Sequence, residues 1–166
     1  MGCGSTKEFN FDSLTNEDKE VLQESIKLLK SDEFQQIGLM IMTRVVSECP
    51  DINSYWKTST STASEWKKQI KNHGCKFLKS ILICVNEKLH NKDDFLSYIK
   101  YLSPSHSTVM LSPKHEKVFL SSFLESMMRE CGASWNKSMH SIWTKFIKIL
   151  WSELLNQCSI NKDNTC

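Results

Sequence analysis

Two histidines in the middle of the chain lie on apolar helix faces, where an imidazole is unusual. His73 interrupts a run of apolar residues that recur at steps of three and four, which is one face of an α-helix. That run is Trp66, Ile70, His73, Phe77, Ile81 and Val85. A second run of the same spacing, Phe95, Ile99, Leu102 and His106, ends on the second histidine. Each of the two predicted helices therefore carries one imidazole on its apolar face.

The spacing of these residues excludes most protein-built metal cages. The chain contains neither His-x-x-x-His nor Cys-x-x-Cys. Glu87 and His90 form one Glu-x-x-His motif, whereas a di-iron helical bundle needs two. An apolar slot with one or two axial imidazoles is what a haem iron requires. The alternative is two unrelated core histidines, each satisfied by a local carbonyl oxygen.

Composition indicates the kind of domain that must position the two histidines. The chain has 166 residues with 3 prolines, 5 glycines and a net charge of +2, which predicts one all-helical domain and gives no electrostatic case for nucleic acid. No apolar run reaches the ~18–20 residues that span a bilayer. The 7 scattered cysteines, an odd number, indicate reduced thiols of a cytosolic protein.

Three segments resemble the globin family, and they occur in globin order. Residues 72–77, Asn-His-Gly-Cys-Lys-Phe, are similar to the distal helix, in which a histidine followed by glycine faces the iron. Residues 101–106 resemble the end of the proximal helix, with Leu102 four residues before His106. Residues 49–56, which begin Cys-Pro and end at Trp56, resemble the short C helix. The resemblance is nearest to invertebrate, nematode-like globins and to neuroglobin-like ones.

The resemblance implies a single all-α globin domain over residues 14–157. About eight helices would form a three-over-three sandwich around haem b, with residues 158–166 as a polar tail. His106 would be the proximal ligand of the iron. His73 would be the distal residue, either bonded to a diatomic ligand or itself the sixth ligand, and we expect substantial bis-histidyl ligation. The residues implied to line the cofactor are Met42, Trp56, Phe77, Leu102 and Val109.

The N-terminal segment, residues 1–13, carries a candidate lipid-attachment signal. Met-Gly-Cys-Gly-Ser-Thr fits the pattern for myristoylation of Gly2 after removal of the methionine. Cys3 is a suitable acceptor for palmitate, and a second acyl chain makes membrane attachment persistent. The expected location is therefore the cytoplasmic face of a membrane. The alternative is an unmodified tail.

The remaining candidate side chains are expected to have no part in metal binding. His90, His115 and His140 lie in polar surroundings and are predicted to be solvated. Cys75 is two residues from His73, off the apolar stripe, and is predicted to be a plain buried or half-buried thiol, although a redox role is the alternative.

Three classes of function follow from these residues. The first is a membrane-tethered haem protein that senses redox state or a diatomic gas such as oxygen, with an unidentified electron-transfer or signalling partner. The second is a haem enzyme of the nitric oxide dioxygenase or nitrite reductase type, or a simple oxygen store. An enzyme needs a reductant, and the chain has no flavin or nicotinamide fingerprint. The third is a haem-free module, which the presence of both His73 and His106 disfavours.

Overall fold

The computed structural model describes residues 10–29, 34–55 and 62–163, and within these ranges the chain is helical and contains no strand. The helices are α1 (Asn16–Lys27), α2 (Phe34–Glu48), α3 (Ala63–Ile83), α4 (Lys92–Leu102), α5 (Pro113–Cys131) and α6 (Lys137–Asp163). Short 3₁₀ turns cover Phe11–Ser13, Pro50–Tyr55, Ser103–Ser105 and Gly132–Ser134, and a π-helical turn over Cys84–Lys88 follows α3. This confirms the all-α prediction.

Three helices begin at side chains that cap the helix N-terminus. Thr15, Thr62 and Ser112 each accept a hydrogen bond from the backbone N–H three residues later. In each case the side chain at that third position also accepts from the cap's own N–H, which completes a capping box. Pro113 then fills the first position of α5, where its missing N–H costs nothing.

Helices α2 and α3 cross at two glycines. A Cβ atom added to Gly38 would lie 2.5 Å from the carbonyl carbon of Gly74 and 2.6 Å from its oxygen. The backbones are therefore in direct contact at this point, and no larger residue fits between them. Because Gly74 follows His73, this crossing fixes the position of His73 relative to α2.

Aromatic rings connect α3, α5 and α6 in the core. Phe77 of α3 meets Phe119 of α5 edge-on, with ring centroids 4.7 Å apart. Phe119 in turn stacks on Trp151 of α6 at 5.7 Å. The buried indole of Trp143, also on α6, donates a 2.8 Å hydrogen bond to the hydroxyl of Ser25 on α1. Helix α6 thus packs against α1 and α5, and it also contacts α4.

The last helix, α6, extends beyond the end of the domain that the sequence predicts. It begins at Lys137, since Gly132 ends α5 with a positive φ and a 3₁₀ turn follows. It continues past Gln157 to Asp163, so the segment predicted as a polar tail from 158 is helical to that point. The physical reason is Cys158, which is buried and whose thiol donates to the carbonyl of Ser103 at 3.6 Å.

No helix within the described ranges is both long enough and apolar enough to cross a bilayer. The predicted lipid-attachment residues Gly2 and Cys3, and the predicted pocket residue Trp56, lie outside the described residues.

Candidate functional site

The imidazoles of His73 and His106 face each other. Their ring centroids are 6.1 Å apart and their planes are inclined by 55°. His73 lies in the middle of α3, whereas His106 directly follows the 3₁₀ turn that ends α4. Both side chains are half-buried. The two histidines that sequence spacing singled out are therefore together in space, although 33 positions separate them in the chain.

His106 is held by the turn that precedes it. Its Nδ1 lies 3.0 Å from the carbonyl oxygen of Leu102 and 3.2 Å from the hydroxyl of Ser105. A carbonyl oxygen can only accept, so Nδ1 carries the proton and donates. Nε2 is then the ring nitrogen with the lone pair, which is the atom that can bind a metal. A hydrogen bond from the other nitrogen also orients the ring and raises its basicity as a ligand.

Pro104 lies in the first residues of this turn, where its ring restricts the backbone. Helix α4 ends at Leu102, and Ser103–Ser105 form a 3₁₀ turn with Pro104 near its start. The backbone N–H of His106 bonds to the Ser103 carbonyl at 3.0 Å. Ser103 is fully buried beneath the end of α6. The orientation of His106 therefore depends on α6 as well as on α4.

His73 is neutral near physiological pH. Burial, followed by the neighbouring His106 and Lys76, lowers its pKa to about 4, because an imidazolium there would lose hydration and meet like charge. The neutral ring keeps one nitrogen lone pair. That lone pair makes His73 a possible metal ligand.

These residues fit a haem iron better than a bare metal ion. Within the described ranges, no three His, Cys, Asp or Glu side chains are grouped so that they could hold an ion. Two imidazoles that bind one metal from opposite sides have ring centroids roughly 6 Å apart, since each metal–nitrogen bond is about 2 Å. The observed separation of 6.1 Å agrees with that arrangement.

The comparison with known families decides the classification. The family model described as Globin matches residues 39–154, which is more than half of the chain. The chain belongs to the globin family. Among solved structures, haemoglobin from the botfly Gasterophilus intestinalis matches this globin with a TM-score of 0.70 and 12% sequence identity, covering 88% of this chain and 99% of the botfly chain. At that identity the likeness concerns the fold. No curated protein matches this globin.

The predicted cofactor-contact residues of this globin lie on the elements around the histidine pair. Met42 is buried on α2, one turn after the crossing at Gly38. Phe77 is half-buried on α3, one turn after His73, and packs on the aromatic rings of α5. Leu102 supplies the carbonyl that anchors His106, and Val109 bonds through its N–H to the His106 carbonyl at 3.0 Å.

One histidine was predicted wrongly. His115 was expected to be solvated, but it is 3% exposed. Its Nδ1 accepts from the N–H of Ser112 at 3.0 Å, and its Nε2 lies 2.9 Å from Oδ2 of Asp51. Burial alone would raise the pKa of Asp51, but the hydrogen bond to His115 holds it below its ordinary value. The Ser112-x-x-His115 spacing is that of a capping box, which was the available signal.

A further side chain that the sequence analysis missed joins the Pro50–Tyr55 turn to the loop after His106. The hydroxyl of Tyr55 accepts a 2.9 Å hydrogen bond from the N–H of Met110. Together with the pair of Asp51 and His115, this contact ties the turn to α5 and to the loop before it. The Pro50–Tyr55 turn is therefore fixed by two hydrogen bonds, one at Tyr55 and one at Asp51.

The other polar candidates have the exposure that the sequence predicts. His90 and His140 are exposed, as predicted, and Nε2 of His90 lies 3.0 Å from Nε2 of Gln23. Cys75 is half-buried, also as predicted.

Proposed function

We propose that this globin binds haem b between His106 and His73, and that both imidazoles would be ligands of the iron. The observation that supports this is the 6.1 Å separation of the two rings. A distal histidine that only bonded a diatomic ligand would stand farther away, because the ligand lies between the ring and the iron. When bound, haem supplies one-electron redox chemistry and reversible binding of diatomic gases.

In this arrangement the two histidines have different roles. His106 stays in place, because its Nδ1 is bonded to the Leu102 carbonyl. A His73 bound to the iron would compete with an external ligand, and the free energy of displacing it would lower the apparent affinity for oxygen. Met42 cannot donate a hydrogen bond to a bound gas. Such a site suits redox or diatomic-gas sensing better than oxygen storage.

We also propose that the globin is attached to the cytoplasmic face of a membrane through acyl chains on Gly2 and Cys3. The support is the Met-Gly-Cys-Gly-Ser-Thr sequence together with the requirement for two signals in stable anchoring. A tethered protein is poorly suited to bulk oxygen carriage, which favours a signalling role with an electron-transfer or signalling partner. A haem enzyme is the second candidate, and a reductant-coupled turnover assay distinguishes it from a sensor.

The test of the ligation is the optical spectrum of the haem-loaded full chain, oxidised and reduced, with and without carbon monoxide. We expect sharp low-spin ferrous bands without added ligand. The His73→Leu variant should bind haem but give a broad high-spin ferrous spectrum, and His106→Leu should weaken haem retention. His140→Leu, an exposed position, is the matched control and should resemble the wild type.

Two results would contradict this function. A high-spin ferrous spectrum of the wild type would exclude resting ligation by His73. A colourless chain that does not take up added haem would exclude the cofactor.

A further inference from the structure

The outer face of α3, opposite the histidine pair's apolar stripe, is covered with lysines. Five of its exposed side chains are lysine: Lys67, Lys68, Lys71, Lys76 and Lys79. Positions 68, 71, 75 and 79 follow one another at steps of three and four, so three of these lysines form a stripe along one side of the helix, on either side of Cys75. Lys67 and Lys76 flank that stripe. We call these five residues the lysine face.

The positive charge of the lysine face is not balanced by neighbouring carboxylates. Glu65 is the only acidic residue of α3, and its carboxylate accepts from the N–H and hydroxyl of Thr62 at the helix start. Within the described ranges, none of the five lysines has a carboxylate oxygen within 4.0 Å. A row of like charges without counter-charges raises the free energy of the isolated protein, and an anionic partner would lower it.

Two other cations of the fold are paired with carboxylates on neighbouring helices. Arg44 of α2 pairs with Glu48 at 2.6 Å and also with Glu125 of α5. Lys145 of α6 pairs with Asp18 of α1 at 2.7 Å. The lysine face is thus a local charge excess in a chain whose net charge is only +2.

We propose that the lysine face of α3 binds the anionic phospholipid headgroups of the membrane surface. The choice of lipid as occupant rests on the membrane attachment proposed above. Lysines near an anionic leaflet contribute additively, without the need for a shaped pocket. A single acyl chain together with a basic patch is also one of the combinations that gives stable anchoring.

The composition of the face favours lipid over the other anionic partners. Protein interfaces depend on buried Trp, Tyr and Arg, whereas the exposed charged residues of this face are lysines. Single-stranded nucleic acids need aromatic rings on which bases stack, and the apolar side of α3, with its rings, is turned to the core. Lysine is a compact, strongly hydrated charge that suits diffuse attraction to a headgroup layer.

The consequence for the site is that lipid contact acts on the helix that carries His73. Lys76 is three residues from His73 on the same helix, and the backbone of that helix is in direct contact with α2 at Gly38 and Gly74. The membrane would therefore lie along the outer side of the distal helix, with the histidine pair on its inner side.

The test is vesicle co-sedimentation of the haem-loaded full chain carrying Gly2→Ala, which removes the myristoyl acceptor. Vesicles are phosphatidylcholine alone or phosphatidylcholine with phosphatidylserine. We expect binding only to the anionic vesicles, weakening as salt rises. The triple variant Lys68→Gln, Lys71→Gln, Lys79→Gln should bind roughly 100-fold more weakly, since each lysine near an anionic surface contributes about fivefold. The control, Lys100→Gln, Lys117→Gln, Lys137→Gln, removes the same charge from exposed positions elsewhere and should bind more tightly than the α3 variant.

Two outcomes would overturn the proposal. Equal loss of binding in the two triple variants would show that net charge, and not the lysine face, attracts the vesicles. No binding of the parent chain to anionic vesicles at low salt would exclude lipid and leave an acidic protein as the partner of this face. The mass of the N-terminal peptide from cells tests acylation separately, so failure of the anchor and failure of the lysine face can be distinguished.

Discussion

At the scale of single residues, different contacts hold the two site histidines in position. A hydrogen bond to the Leu102 carbonyl fixes the tautomer and orientation of His106. Burial and neighbouring positive charge keep His73 neutral, and the backbone crossing at Gly74 fixes its position. The orientation of His106 depends on the turn that precedes it in the chain. The position of His73, in contrast, depends on the contact of α3 with α2. The position of His73 therefore depends on its neighbour Gly74, whose backbone contacts Gly38.

The Gly74→Ala substitution tests whether the backbone contact between Gly74 and Gly38 positions His73. The new methyl would meet backbone atoms of Gly38, which cannot move without separating α2 from α3. We expect a loss of about 3 kcal/mol or more in the free energy of unfolding, at the upper end of overpacking effects. We also expect a higher fraction of high-spin haem, because His73 moves with the helix. Urea unfolding and the ferrous spectrum are the measurements.

Asn72→Ala is the matched control, since position 72 is exposed on the same helix. Its unfolding free energy should stay within about 0.5 kcal/mol of the wild type. If Gly74→Ala were as stable as this control, the two backbones would not be in contact in solution.

At the scale of elements, an ion pair between Lys145 and Asp18 joins α6 to α1. Lys145 donates to Asp18 at 2.7 Å, and the same carboxylate accepts from the N–H of Thr15 in the capping box. Burial alone would raise the pKa of Asp18, but these bonds, with Lys145 the largest contributor, hold it below its ordinary value. The folded state therefore binds this proton less readily than the unfolded chain does.

The Asp18→Asn variant should be less stable than the wild type by an amount that depends on pH. Because the folded pKa is the lower one, the stabilisation is complete above the unfolded value of about 3.9 and is lost as the pH falls through the folded pKa. We expect Asp18→Asn to lower the free energy of unfolding by about 1 kcal/mol near neutral pH. Once the pH is below the folded pKa, the difference from wild type should disappear. Urea unfolding across pH is the measurement.

Glu20→Gln serves as the control for that series, since Glu20 is exposed on α1 and has no ion pair within the described part of the chain. A loss of stability from Asp18→Asn that persisted unchanged in acid would show that packing, and not charge, holds α1 to α6.

The helices and their starts could be predicted because they depend on neighbours in sequence. Apolar residues at steps of three and four mark the buried faces, and Thr15 and Ser112 mark two starts. The start of α3 is Thr62, although Ser64 is an equally good N-cap by sequence. The end of α6 could not be predicted, because it depends on the contact of Cys158 with Ser103, which is 55 positions away. Local polarity predicts a loose end there, and tertiary packing overrides it.

At the scale of the whole molecule, the pairing of His73 with His106 could be proposed from sequence, but its distance could not. Spacing shows that each ring lies on an apolar face, and the resemblance to globins supplies the reason for them to meet. The 6.1 Å separation depends on the α2–α3 crossing and on the turn below α4. His115 was misjudged for the same reason, since its partner Asp51 is 64 positions away in the chain.

A site formed by distant segments links cofactor binding to the stability of the whole domain. The histidine pair joins α3 to the turn after α4, and that turn is packed against α6. A group that binds the folded chain and not the unfolded one stabilises it by about 2.7 kcal/mol when its free concentration is 100 times its dissociation constant. For a domain of this size, 1 kcal/mol shifts Tm by roughly 2–4 °C.

We therefore expect removal of haem to lower the Tm of this globin by at least 5–10 °C, roughly the product of those two magnitudes. The two ligands should contribute unequally. His106→Ala should remove most of the difference between haem-loaded and haem-free protein, whereas His73→Ala should remove only the part due to the sixth ligand. The exposed His140→Ala should keep the full difference. Scanning calorimetry of both forms of each variant is the measurement. Equal Tm values with and without haem in the wild type would mean that the cofactor does not join these elements, because a ligand specific to the folded chain must raise its stability.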